Sequence, residues 1–159
     1  MDQIVRGITA VQSALGAINF VVLTAVVSLQ VASRFILQQP LLWSEEAARF
    51  LLFWLVMNGA SLAVMKQRHF TTELFNTTRI TSRLFRFLLE IIPSACMLIT
   101  GIIMVVYGLA YAKAGAHRTM PISQVNMMYV YLAIPISGTL IAIYSAALIG
   151  RMINTSSRE

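Results

Sequence analysis

The chain has 159 residues, of which 58% are hydrophobic and only 11% charged, and its mean hydropathy is +0.76. So little polar side chain cannot cover the surface of a soluble globule, which excludes an ordinary soluble enzyme or carrier. The net charge of +6 argues for topology and anionic lipid headgroups and against nucleic acid, because the basic residues flank apolar stretches instead of forming one soluble patch.

Four apolar stretches, 8–33, 47–65, 87–112 and 125–149, approach or exceed the ~20 residues that a helix needs to cross hydrocarbon. With their helix-start signals they predict an all-α integral membrane protein: one four-helix domain over 1–159, with tilted spans at 8–33, 44–65, 84–112 and 125–149 and short interfacial helical segments. The first stretch is too long for a signal-peptide core and has only Arg6 before it, so it is expected to remain in the mature protein. Arg6, Lys66, Arg68, Arg79, Arg83, Arg86, Arg151 and Arg158 fall on one side of such a bundle, against Arg34, Arg49, Lys113 and Arg118 on the other. That bias puts both termini in the cytoplasm. Cys96, the single cysteine, excludes an intrachain disulfide and a cysteine metal cluster.

The first span has no ionisable residue between Arg6 and Arg34. Its roughly 26 residues would extend about 39 Å as helix, more than the ~30 Å of hydrocarbon, so it tilts or protrudes. Ala14, Gly16 and Ala17 permit close packing, and no chemistry is assigned to this helix.

The second span opens on Pro40-Leu41-Leu42-Trp43-Ser44-Glu45-Glu46-Ala47-Ala48-Arg49-Phe50, where charge meets membrane-length apolarity. Ser44 suits an N-cap, and Glu45 and Glu46 then complement the positive end of the helix dipole. Glu45 and Arg49 stand four apart in the favourable order, and Trp43, Ala47, Phe50 and Trp54 recur at helical spacing. Deeper, Trp54, Asn58 and Ser61 share a face, and Gly59 and Ala63 form a small-xxx-small pair. Asn58 can hydrogen-bond across a helix interface, either to a partner chain or within the bundle.

Lys66, Arg68 and His69 mark the exit of this span, and 70–82, with Glu73, suits a short interfacial helix. His69 beside two cations reads as a headgroup contact or helix C-terminal group, not a catalytic base. In the third span Arg86 and Glu90 are one turn apart and predict an intramembrane ion pair near the cytoplasmic interface, with Pro93 a kink just beyond. A proton site at Glu90 is the alternative. Lys113, His117, Arg118 and Pro121 occupy the third connection, Tyr129 and Tyr131 form an interfacial belt, and Pro135 and Gly138 are expected to interrupt the fourth span.

Four spans with both ends inside, the Pro40–Arg49 segment, Gly59-Ala60-Ser61 in mid-helix and Lys66 to His69 together resemble the DctQ-type small membrane subunit of tripartite ATP-independent periplasmic (TRAP) transporters. The resemblance covers nearly the whole chain and is sharpest from Pro40 to His69, with Glu73 where that family commonly carries an acid; the Pro121 to Pro135 region matches less distinctively. It implies an accessory subunit of a sodium-coupled importer of organic acids such as sialic acid or a C4-dicarboxylate. Its partners would be a large elevator-type membrane subunit on a separate chain, a periplasmic binding protein engaged transiently, and membrane lipids, with no nucleic acid and no cofactor. Trp43, Ser44, Glu45, Glu46, Arg49, Phe50, Trp54 and Asn58 would then meet the partner or lipid, and Lys66, Arg68, His69 and Glu73 the cytoplasmic interface.

Two other classes compete. A self-sufficient four-span proton-coupled exporter acting as a homodimer is expected to hold an acid in its first span, and this chain has none there. A haem protein using His69 and His117 would need ligands from opposite membrane edges.

Overall fold

The computed structural model describes the backbone of residues 2–36, 38, 39, 41–74 and 83–156, and the side chains of Val5, 7–36, 38, 39, 41–65 and 91–150. Among these, the fold is all-helical: α1 (Asp2–Phe35), α2 (Leu42–Leu74), α3 (Arg83–Gly115), the single turn α4 (Met128–Tyr131) and α5 (Ala133–Ser156). Four stretches are long and apolar enough to cross a membrane: Gly7–Phe35, Leu42–Met65, Ile91–Gly115 and Met128–Gly150. The 34 residues of α1 extend about 51 Å, so tilt or protrusion beyond the hydrocarbon follows.

The packing of α1 inverts the soluble rule. Val5, Thr9, Gln12, Gly16, Asn19, Leu23, Val26, Gln30 and Ser33, alternating four and three apart, are buried or half-buried, whereas Val11, Leu15, Ile18 and Val21 are exposed. Lipid tails are as apolar as leucine, so a membrane helix gains nothing by hiding aliphatic side chains and much by hiding amides and hydroxyls. The seam therefore carries the amides Gln12, Asn19 and Gln30, while Ser13, Thr24 and Ser28 stay exposed.

Helices α3 and α5 make the closest pair, and glycine makes it possible. A Cβ on Gly101 would lie 2.9 Å from both the Gly138 carbonyl oxygen and the Ala142 nitrogen, and one on Gly138 would lie 2.7 Å from Met104 Cβ. The core lies toward the start of α1 and the end of α5, where Val5, Val64, Ile141, Tyr144, Ala147 and Leu148 cluster.

Four local expectations need correction. Helix α2 starts at Leu42, so Ser44 lies inside its first turn, and its buried hydroxyl donates back to the Leu41 carbonyl (2.6 Å) instead of capping. The same helix runs on to Leu74, so Lys66, Arg68, His69 and Glu73 continue it, and an interfacial helix over 75–82 falls outside the described residues. Val125 and Asn126 belong to an ordered loop, and the last long helix begins at Ala133. Pro135 therefore sits in the first turn, where its missing N–H leaves no intrahelical bond unmade, and neither it nor Gly138 breaks the helix.

Replacing Gly101 by Val should lower stability by about 1–3 kcal/mol through overpacking. Gly59, whose added Cβ would meet nothing within 4 Å, should accept Ala with little change. Thermal unfolding of the two variants in detergent measures the difference.

Candidate functional site

Two polar assemblies hold the bundle, one at the start of α2 and one at membrane depth. At the first, the Glu46 carboxylate is 8% exposed and accepts three hydrogen bonds from the loop joining α3 to α4: Ile122 N–H (3.0 Å), Ser123 N–H (2.8 Å) and the Ser123 hydroxyl (2.7 Å). Bonds of this kind are charge-assisted, and they tie the loop to the start of α2. Glu46 thus serves the loop and not the helix dipole.

The loop is itself built. Thr119 and Asn126 face each other as an antiparallel bridge, Met120 N–H donates to the Val125 carbonyl (2.9 Å), and Met127 N–H to that of Arg118 (2.9 Å). Gln124 turns the tip in the left-handed region at φ 54°, with its side chain donating to the Pro121 carbonyl (3.1 Å). Asn126 closes the base: its amide donates to the Ala116 carbonyl (2.8 Å), and its oxygen accepts from Met128 N–H (2.8 Å) at the start of α4. This hairpin presents Ile122 and Val125, both exposed, beside exposed His117 and Arg118.

Around this clasp the expected neighbours are partly assembled. Glu45 and Arg49 form the i,i+4 ion pair, but both side chains are more than half exposed, so the pair contributes little to stability. Phe50 and Trp54 stack obliquely with ring centroids 6.3 Å apart, and the Trp54 indole N–H donates to the Tyr129 carbonyl (3.2 Å). Trp43 remains exposed.

The second assembly is centred on Gln12 of α1, which is 5% exposed. Its amide nitrogen donates to the Asn58 carbonyl (3.2 Å) and to the Ser61 hydroxyl, and its oxygen accepts from the Tyr144 hydroxyl (2.6 Å). Asn58 answers by donating its amide to the Gln12 carbonyl (3.1 Å), and Ser61 donates to the Asn58 carbonyl (2.8 Å). One side chain therefore joins α1, α2 and α5, with both amide N–H donors and the amide oxygen engaged. About two turns further along, Asn19 donates to the Leu51 carbonyl (3.2 Å) and repeats the α1–α2 link.

Asn58 accordingly bonds within the bundle. The expectation that α1 carries no chemistry missed Gln12, whose signal was available: a large amide inside a span devoid of charge. The side chains of Lys66, Arg68, His69, Glu73, Arg86 and Glu90, and with them the Arg86–Glu90 pair, lie outside the described residues.

These features define a four-helix integral membrane protein whose interior polar groups bond helix to helix. Residues 23–155 match the family model for tripartite ATP-independent periplasmic transporters, DctQ component, and the chain belongs to that family. It is thus a multi-pass inner-membrane component of a transporter, not an enzyme. The sialic acid TRAP transporter permease protein SiaT of Haemophilus influenzae (strain 86-028NP) is 40% identical over 55 residues, which are 35% of this chain and 9% of that protein. The sialic acid TRAP transporter small permease protein SiaQ of Vibrio cholerae serotype O1 (strain ATCC 39315 / El Tor Inaba N16961) is 35% identical over 54 residues, 34% of this chain and 31% of that protein. The matched segments thus span under a third of either relative.

Two substitutions separate the assemblies. Glu46→Ala should raise amide hydrogen exchange at Ile122 and Ser123 by at least about tenfold, the equivalent of one charge-assisted bond, while exchange in α1 stays unchanged. Gln12→Ala should lower global stability by about 1–3 kcal/mol because three partners lose a bond at once, and Tyr144→Phe by about 0.6 kcal/mol, as thermal unfolding will report.

Proposed function

We propose that this chain is the small accessory membrane subunit of a sodium-coupled TRAP transporter importing an organic acid, a carboxylate such as sialic acid or a C4-dicarboxylate. It braces the fixed scaffold of a large elevator-type subunit on a separate chain. Both of its ends are cytoplasmic, and the 116–127 hairpin faces the periplasmic binding protein. The observation that carries this reading is the use of polar groups at depth: Gln12, Asn58, Ser61 and Tyr144 are bonded to one another across three helices, which makes a rigid part and not a path for solute. A brace needs that quality, since an elevator works against elements that do not yield.

The names of the two sialic acid relatives support the substrate class, and the clasped hairpin supports a docking role because it is preorganised and carries exposed apolar and basic side chains together. A homodimeric exporter would need an ionisable site of its own at depth, and among the described residues Glu46 is the one buried charged side chain, already committed to the hairpin.

Tagged chain, co-expressed with a candidate large subunit and extracted in mild detergent, should recover that subunit at equal stoichiometry by mass spectrometry. Arg49→Glu, on an exposed face, should reduce recovery and solute uptake together. Uptake lost with the complex intact would contradict bracing, and a homodimer transporting unaided in liposomes would overturn the accessory role.

A further inference from the structure

Beside Gln12, residues of α1, α2 and α5 line an open groove of about 910 Å³. Its α1 wall is the row Ile8, Val11, Leu15, Ile18 and Val22, spaced three and four apart in alternation, the repeat with which one helix receives another. An apolar groove at this depth fills with lipid tails by default, so the aliphatic row alone does not select a guest. The oxygens do.

Three side-chain oxygens border the groove without a hydrogen-bond donor among the described residues. Ser137 of α5 is 4% exposed and lines the groove, and its hydroxyl has no partner among the described residues. The Asn58 side-chain carbonyl accepts nothing, since the residue's bonds run through its amide nitrogen and backbone carbonyl. Asn19 likewise uses its nitrogen and leaves its oxygen buried and unpartnered. Ser145 of α5 is likewise buried without a partner but does not line the groove, and hydrocarbon offers no donor to any of these oxygens.

Resting on the accessory-subunit reading, we propose that the α1–α2–α5 groove receives one transmembrane helix of the large subunit, and that this helix sets a Ser, Thr, Asn or Gln side chain against Ser137 and Asn58. The guest packs on the Val11–Leu15–Ile18 row and donates where an acyl chain cannot. Small hydroxyl and amide side chains are the usual means by which membrane helices select one another.

The test is photo-crosslinking in native membranes with a benzophenone amino acid at Leu15 or Ile18, both exposed on the groove wall, in the co-expressed complex. Adducts to one helix of the large subunit, mapping within a turn of a Ser, Thr, Asn or Gln, are expected. Ser137→Ala provides a second readout: recovery of the large subunit should fall at least threefold, while the isolated chain melts unchanged because that hydroxyl bonds nothing among the described residues. Adducts to a second copy or to lipid alone, or none from either position while the large subunit still co-purifies, would overturn the groove assignment and leave the accessory role standing. Failure of the unmodified chain to recover any multi-span partner would remove both.

Discussion

A polar side chain in hydrocarbon must find its hydrogen-bond partners within the protein, and the seating of α1 depends on how Gln12 meets that demand. Its amide makes three bonds to α2 and α5, so the first helix cannot slide or turn without breaking several bonds together. Asn19 adds a second fixed point toward the other membrane face. Apolar contacts between helices would not achieve this, because lipid tails replace them at little cost. The same demand explains why α1 carries its aliphatic residues outward and its amides inward.

The far end of the bundle is fixed by different means. There the chain leaves the spans, and Glu46 reaches from the start of α2 to hold the hairpin between α3 and α4 through two backbone N–H groups and a hydroxyl. Between the two fixed ends, the Gly101–Gly138 crossing brings α3 and α5 to backbone contact. A small membrane protein thus acquires stiffness from a few polar bonds and one glycine contact.

The sequence makes plain what depends on local spacing. Span number and approximate position follow from apolar run length, the Glu45–Arg49 pair and the Phe50–Trp54 contact from helical periodicity, and the shared face of Asn58 and Ser61 from the same rule. What depends on distant pairing is hidden. Glu46 meets Ser123 across 77 residues and Gln12 meets Tyr144 across 132, and no local pattern distinguishes those partners from other serines and tyrosines. Helix ends are obscured for a related reason: the polar residues from Lys66 onward look like an exit, yet a helix already propagating continues through them to Leu74. Ser44 looks like a cap, yet the helix starts two residues earlier.

The central claim is that Gln12 sets the position of α1 against the other helices. Pulsed electron paramagnetic resonance between spin labels at Leu29 on α1 and Ile103 on α3, both exposed, reads that position directly, in a Cys96→Ser background. The account predicts one narrow distance distribution in the parent chain and a broadened or displaced one after Gln12→Leu, with helix content retained. An equally narrow, unshifted distribution in the Gln12→Leu chain would contradict it.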